Sequence, residues 1–152
     1  PGMVMYILNP NMKLTLLDST KKKIDYLSDY SKNNNYSINC VNARAEEFAR
    51  SNIEKYDYAV ARAVAPLNIL LELIVPLLKV KGTFIAMKGP GSEKEIEEAQ
   101  KAMKKLGCHL QKIYSDELPI CKETRNLIYI VKDNHTNIKY PRDYKEIKNR
   151  PL

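Results

Sequence analysis

The sequence predicts an α/β protein whose sheet is mostly parallel and closes with an antiparallel hairpin on one edge. Strand-like and helix-like segments alternate four times along the chain, the pattern of parallel strands joined by right-handed crossovers. Two further strand-like segments then follow with no helix between them, which calls for a hairpin. Every parallel strand also ends on a polar or charged residue, and strand carboxyl ends are where open α/β sheets take their ligands.

The elements follow in order. Gly2 to Leu8 reads as a short helix stopped by Asn9-Pro10-Asn11. Lys13 to Asp18 is a strand with an acid at its end, and Ser19 or Thr20 can cap a helix carrying Ile24, Leu27 and Tyr30 on one face. Asn33-Asn34-Asn35 is a turn, Ser37 to Asn42 a second strand, and Ala45 to Arg50 the start of a short helix. Tyr56 to Ala61 is a third strand, followed by an apolar helix from about Pro66 to Leu78. Lys81-Gly82 turns into a fourth strand, Thr83 to Lys88, and Gly89-Pro90-Gly91 forms a loop. Ser92 with Glu95 has the form of a capping box, opening a helix with Ile96, Ala99, Met103 and Leu106 on one face and Gly107 as its stop. The hairpin segments are His109 to Leu118 and Asn126 to Lys132, and residues 133–152 read as an irregular basic tail.

The chain has 152 residues, of which 44% are hydrophobic and 28% charged, consistent with one globular domain over 1–152. A net charge of +7 favours anionic partners such as nucleic acid, although lysine-rich surfaces also serve solubility alone. Cys40, Cys108 and Cys121 fit no zinc or disulfide spacing, and His109 and His135 form no metal-ligand pair, so a reducing cytoplasm and no metal are expected. No apolar run reaches membrane length; the longest, Leu67 to Leu78, is cut by Asn68, Glu72 and Pro76. The chain opens on Pro1-Gly2 and moves at once into an apolar run, so the beginning of the natural protein is expected to lie upstream.

The strand ends supply the candidate site residues. Asp18 can accept hydrogen bonds from a ribose diol or cap the following helix, where a carboxylate suits the positive end of the dipole. Glu46 can meet an adenine edge or serve as a cap. Arg62 stands where an apolar strand leaves the sheet, and it can pair with Asp57 or Asp18 or grip an anion in bidentate fashion. Lys88 is a phosphate contact or a solvated strand end. No nucleophile-and-base pair stands out, neither histidine fits a triad order, and no P-loop or GxGxxG motif is present. Chemistry that depends on positioning rather than on proton transfer fits best.

LLDS followed by lysines, RAEE, YDYAVARAVAPL, GTFIAMKG and a closing YPR…PL together resemble the bacterial 16S ribosomal RNA small-subunit methyltransferase G family, also called glucose-inhibited division protein B. The resemblance runs in unbroken order from Pro1 to Leu152. It implies a Rossmann-like class I S-adenosylmethionine-dependent methyltransferase sheet, here lacking the usual first strand and its glycine-rich loop, of which only Pro1-Gly2 remains. It implies S-adenosylmethionine as cofactor, 16S rRNA of the small ribosomal subunit as partner, and methylation of a guanine N7. Gly2, Asp18, Ser19, Thr20, Ala45, Glu46 and Arg62 are then the expected cofactor-site residues, and Lys88, Arg125, Arg142, Lys148 and Arg150 the expected RNA contacts. Two other classes stay open: a non-catalytic RNA- or ribosome-binding domain, and a dinucleotide-dependent oxidoreductase. Oligomeric state is not expressed in the sequence, and the fragment itself is expected to bind cofactor poorly.

Overall fold

The computed structural model describes residues 1–152. It divides into two compact units, Pro1–Phe48 and Ala49–Leu152.

The first unit contains α1 (Gly2–Leu8), β1 (Leu14–Asp18), α2 (Lys21–Asn33) and β2 (Ile38–Asn42). β1 and β2 run parallel in a two-stranded sheet, from Leu14 opposite Ile38 to Asp18 opposite Asn42. α2 makes the crossover between them. It turns Ile24 and Ser31 inward, with Leu27 half-buried, while Tyr30 of the expected stripe stays exposed. The turn after α2 places Asn35 at a φ of 56°, a conformation asparagine tolerates better than most residues. A β-carbon added to Gly2 would stand 2.7 Å from Leu16 Cδ2, so glycine lets α1 approach β1 this closely.

α3 (Ala45–Ser51) follows β2, and the second unit continues with β3 (Tyr56–Arg62), α4 (Leu67–Ile74) and a 3₁₀ turn at Val75–Leu77. Then come β4 (Leu78–Lys88), α5 (Ser92–Glu98), α6 (Gln100–Leu106), β5 (Cys108–Glu117), β6 (Thr124–Lys132) and α7 (Tyr144–Asn149). Its sheet has the order β3-β4-β6-β5, with β3 and β4 parallel and the β5–β6 hairpin antiparallel, as the sequence predicts. Leu67, Leu70 and Leu71 of α4 and Met103 and Leu106 of α6 share one core with Phe84, Ala86, Ile128 and Ile130 of the sheet.

Four local expectations are corrected. The fourth strand starts at Leu78 rather than Thr83, because Lys81-Gly82 is a bulge inside it and not a turn before it. Tyr56 faces Leu78 while Tyr58 already faces Thr83, and Lys81 takes a φ of 71°. A β-carbon on Gly82 would lie 2.8 Å from the Lys79 carbonyl oxygen, 3.1 Å from that of Asp57 and 3.2 Å from that of Tyr56. The helix after Gly91 is interrupted at Ala99 into α5 and α6, although Ile96, Ala99, Met103 and Leu106 form the buried face that was expected. The capping box does not form: Ser92 Oγ accepts from Asn126 Nδ2 at 2.8 Å, and Glu95 reaches elsewhere. The tail is not irregular throughout. Residues 144–149 form α7, held by buried Ile147, with Tyr140 and Leu152 also buried.

Candidate functional site at the strand carboxyl ends

Within the first unit the parallel register sets the site. Because Asp18 lies opposite Asn42, the residues leaving β1 and those leaving β2 emerge side by side. Asn42 Nδ2 ties the two exits by donating to the Asp18 carbonyl oxygen at 2.9 Å. Asp18, Ser19, Thr20, Ala45 and Glu46 therefore gather at one end of the β1–β2 pair. Gly2 packs against the flank of β1, on Leu16 and Leu14.

The Asp18 carboxylate accepts the Thr20 backbone N–H at 2.8 Å through Oδ1, and Lys23 Nζ approaches Oδ2 at 3.3 Å. The Thr20 N–H is the largest influence and holds the carboxyl below its ordinary range. Burial opposes it, and the Thr20 hydroxyl and then Lys23 assist. Asp18 is thus an ionised acceptor whose Oδ2 meets Lys23 at 3.3 Å. It shapes the turn into α2 by holding the Thr20 N–H. Ser19 and Thr20 are exposed, and neither side chain caps α2. Glu46 is buried, and its Oε1 accepts from Arg44 Nε at 2.7 Å. Arg44, to which the sequence reading gave no role, sits between the strand and α3 and orients that acid.

In the second unit Arg62 ends β3 opposite Met87 of β4 and is exposed. Neither carboxylate offered to it in the sequence takes it up. Asp57 pairs with Lys79 at 2.8 Å, and Asp18 with Lys23. The residue after it, Ala63, holds a φ of 51°. A left-handed alanine is strained, and strain of this kind collects at ligand sites.

Lys88 does not project from its strand end. Its Nζ donates to Glu95 Oε2 at 2.6 Å and to the Ala65 carbonyl at 2.7 Å, and its side chain is 10% exposed. The same Glu95 oxygen accepts the Leu67 N–H at 2.8 Å, capping α4 from a different helix. Beside Lys88, Asn126 donates to the Gly89 carbonyl and to Ser92 Oγ, so the loop after β4 is pinned at both sides. Neither Glu95 nor Asn126 was singled out in this role. The available signal was Pro66, whose side chain cannot cap the helix it opens. Of the other basic candidates, Arg142 is engaged by Glu72, and Arg125 by Glu123 and the Thr124 carbonyl. Lys148 and Arg150 have exposed side chains.

Each histidine does meet an acid. His109 Nδ1 lies 2.7 Å from Asp133 Oδ2 and His135 Nδ1 2.7 Å from Glu54 Oε2. Both pairs sit at the amino ends of β3 and β4, away from Arg62. A cleft of about 510 Å³ lined by Arg50, Glu54, His135 and Thr136 lies at that end too.

A profile of the family described as rRNA small subunit methyltransferase G matches residues 1–128. The chain belongs to that family. It is 40% identical over 155 residues to the "Ribosomal RNA small subunit methyltransferase G" of Thermoanaerobacter sp. (strain X514), a match covering 100% of this chain and 65% of the relative. The protein of the same name from Alkaliphilus oremlandii is 39% identical, again over 100% of this chain and 65% of the relative. The chain thus spans about 65% of the length of these family members. Among solved structures, an rRNA methylase from Streptococcus thermophilus superposes with a TM-score of 0.59 at 15% identity, over 80% of this chain and 74% of that one. The N-methyltransferase NodS from Bradyrhizobium japonicum gives a TM-score of 0.65 at 15% identity, over 88% and 81%. The fold is therefore the Rossmann-like fold of these methyltransferases. No helix is long and apolar enough to cross a membrane.

Proposed function

We propose that this family member serves S-adenosylmethionine-dependent methylation of a guanine N7 in 16S rRNA, in the cytoplasm. The observation that carries the reading is the convergence of Asp18, Ser19 and Thr20 with Ala45 and Glu46 at the carboxyl end of two parallel strands, where such sheets bind nucleosides. The residues fit the cofactor. An ionised Asp18 suits a ribose diol, and the start of α3 suits an adenine edge. Gly2 stays a proposed contributor through its close packing on β1.

The bound cofactor supplies a sulfonium methyl group. Guanine N7 carries a free lone pair, so no base has to remove a proton before it attacks. The protein's part is alignment, which can supply a large share of the rate. This agrees with carboxyl ends that hold no histidine. Arg62 is assigned to phosphate, guanine O6 or the cofactor carboxylate; it is a poor neighbour for N7 itself, which gains positive charge on methylation. Of the basic residues, Lys148 and Arg150 are the readiest for rRNA phosphates. Lys88, Arg125 and Arg142 would first have to leave internal partners.

The test is calorimetric titration of S-adenosylmethionine into the full-length protein and its Asp18→Ala variant. It is paired with methyl transfer to small ribosomal subunits by the full-length protein, scored as 7-methylguanosine by mass spectrometry. Cofactor binding lost in Asp18→Ala and transfer lost in Arg62→Ala are expected. Binding unchanged by Asp18→Ala removes the ribose assignment, and absence of 7-methylguanosine removes the reaction.

A further inference from the structure

α2 carries a feature that neither the sheet nor the cofactor reading uses. At 3.6 residues per turn, Ile24, Leu27, Ser28 and Ser31 form its inner face, and Lys22, Tyr26, Asp29 and Asn33 lie opposite, on the solvent side. Tyr26 therefore stands on the side of the helix farthest from the core and is 69% exposed. Its ring stacks on that of Tyr30, one turn on, with centroids 6.5 Å apart and planes 27° apart.

That pair is backed from within. Tyr30 meets Tyr36 edge-on at 6.2 Å, and Tyr36 lies tilted against Tyr6 at 5.4 Å. Tyr6 is buried, and its hydroxyl accepts the Ser37 N–H at 3.0 Å. Four rings thus run from the interior of the first unit to its surface, and the outermost is held in orientation while most of it remains open to water. Burial does not explain this, since Tyr26 is mostly exposed on the outer side of the helix. An aliphatic side chain would pair with Tyr30 across one turn equally well.

The cations nearby divide unequally. Lys21 is tied to Asp25 at 2.7 Å and Lys23 to Asp18 at 3.3 Å. Lys22, one turn before Tyr26, is exposed and faces no carboxylate partner; Asp29 is the one acid on the same side. An exposed ring fixed from behind, with a free ammonium one turn away, has the composition of sites that stack a base and hold its phosphate.

We propose that Tyr26, supported by Tyr30 and flanked by Lys22, is a stacking platform for an unpaired RNA base. The platform lies on the solvent side of α2, apart from the strand-end residues, and holds RNA against the first unit. This inference rests on the RNA-directed reading above. It specifies single-stranded or looped RNA over a blunt duplex, whose bases present no free face.

The chain has no tryptophan, so Tyr26→Trp places a single indole reporter at the platform. Its fluorescence is followed while a ten-nucleotide oligoadenylate or a blunt RNA duplex is added, and affinity is measured in parallel by anisotropy of labelled RNA. Tyr26→Leu keeps the apolar pairing with Tyr30 and removes the aromatic face. The expected result is quenching by oligoadenylate and not by duplex, with affinity for oligoadenylate reduced on the order of tenfold in Tyr26→Leu. If the unsubstituted chain binds oligoadenylate but Tyr26→Leu binds equally well, quenched indole or not, the platform is overturned and the RNA-directed reading stands. Binding to duplex alone also overturns the platform. Binding to neither RNA overturns both.

Discussion

Arg142 grips Glu72 with Nε on Oε1 and Nη2 on Oε2, each at 2.7 Å, and its own backbone N–H adds a third bond to Oε1 at 3.1 Å. Glu72 is wholly buried in α4, while the Arg142 side chain is 17% exposed in the segment leading to α7. Glu72 is the dominant influence on the guanidinium and raises its pKa, against burial. The pair fastens the chain's last segment to the core of the second unit, and Arg142 Nη2 also donates to the Arg150 carbonyl at 3.0 Å.

Arg142→Ala leaves a buried carboxylate without its partner, and the expected loss of stability is about 3–5 kcal/mol. The double variant Glu72→Leu, Arg142→Met removes both charges and should recover most of that loss. Urea unfolding of the three proteins reads it. A single variant as stable as the parent would show that water, rather than Arg142, satisfies Glu72.

Glu95 caps α4 and neutralises Lys88 with one oxygen. Glu95→Gln keeps an acceptor for the Leu67 N–H and loses only the ionic part. Glu95→Ala loses both and leaves a nearly buried ammonium with the Ala65 carbonyl alone. Expected destabilisation is about 2 kcal/mol for Glu95→Ala, in the range for hydrogen bonds to charged groups, and less for Glu95→Gln. Thermal unfolding with both variants checks the order. Equal losses would mean that the cap contributes nothing.

Ala63 supplies a different test, because its left-handed φ of 51° directly follows Arg62. Ala63→Gly relieves the strain, with an expected gain on the order of 1 kcal/mol. If the strain orients Arg62, the same variant loses methyl transfer while it gains stability. A gain in both would mark the strain as incidental.

These examples also show how far the sequence could be read. The element order and the closing hairpin were legible because apolar periodicity is local. The placement of Asp18, Ala45 and Glu46 just at or beyond the ends of neighbouring strands was legible because parallel strands deliver their ends together. The fates of the basic residues were not. Glu72 read as an interruption in an apolar run, and nothing near it in sequence announces a partner 70 residues away. Lys88 read as a phosphate contact or a solvated strand end because Glu95 looked like an ordinary third residue of a capping box. Gly82 read as a turn because glycine marks both turns and close backbone approaches, and only the carbonyls around it distinguish the two.

Acid sensitivity should centre on Glu54. Burial raises its pKa, but hydrogen bonds from Lys132 and His135, with the Thr136 N–H, outweigh burial and leave the carboxyl below its ordinary 4.5. A carboxyl with a lowered folded pKa contributes stability that is complete above the unfolded value and is lost as pH falls through the folded one. The window therefore lies below pH 4.5. Lys132 is fully buried and spans Glu54 Oε1 at 2.9 Å and the carbonyls of Val75 and Leu78, so protonating Glu54 removes the only counter-charge of a buried ammonium. Glu54→Gln should lower stability at pH 7 and flatten its fall in acid. His135→Ala should do little at pH 7, because that ring is 83% exposed. Denaturant midpoints from pH 7 down to the acid transition decide it. An acid limb as steep in Glu54→Gln as in the parent would transfer the dependence to another carboxylate, with Asp18, whose pKa is also lowered, the next to substitute.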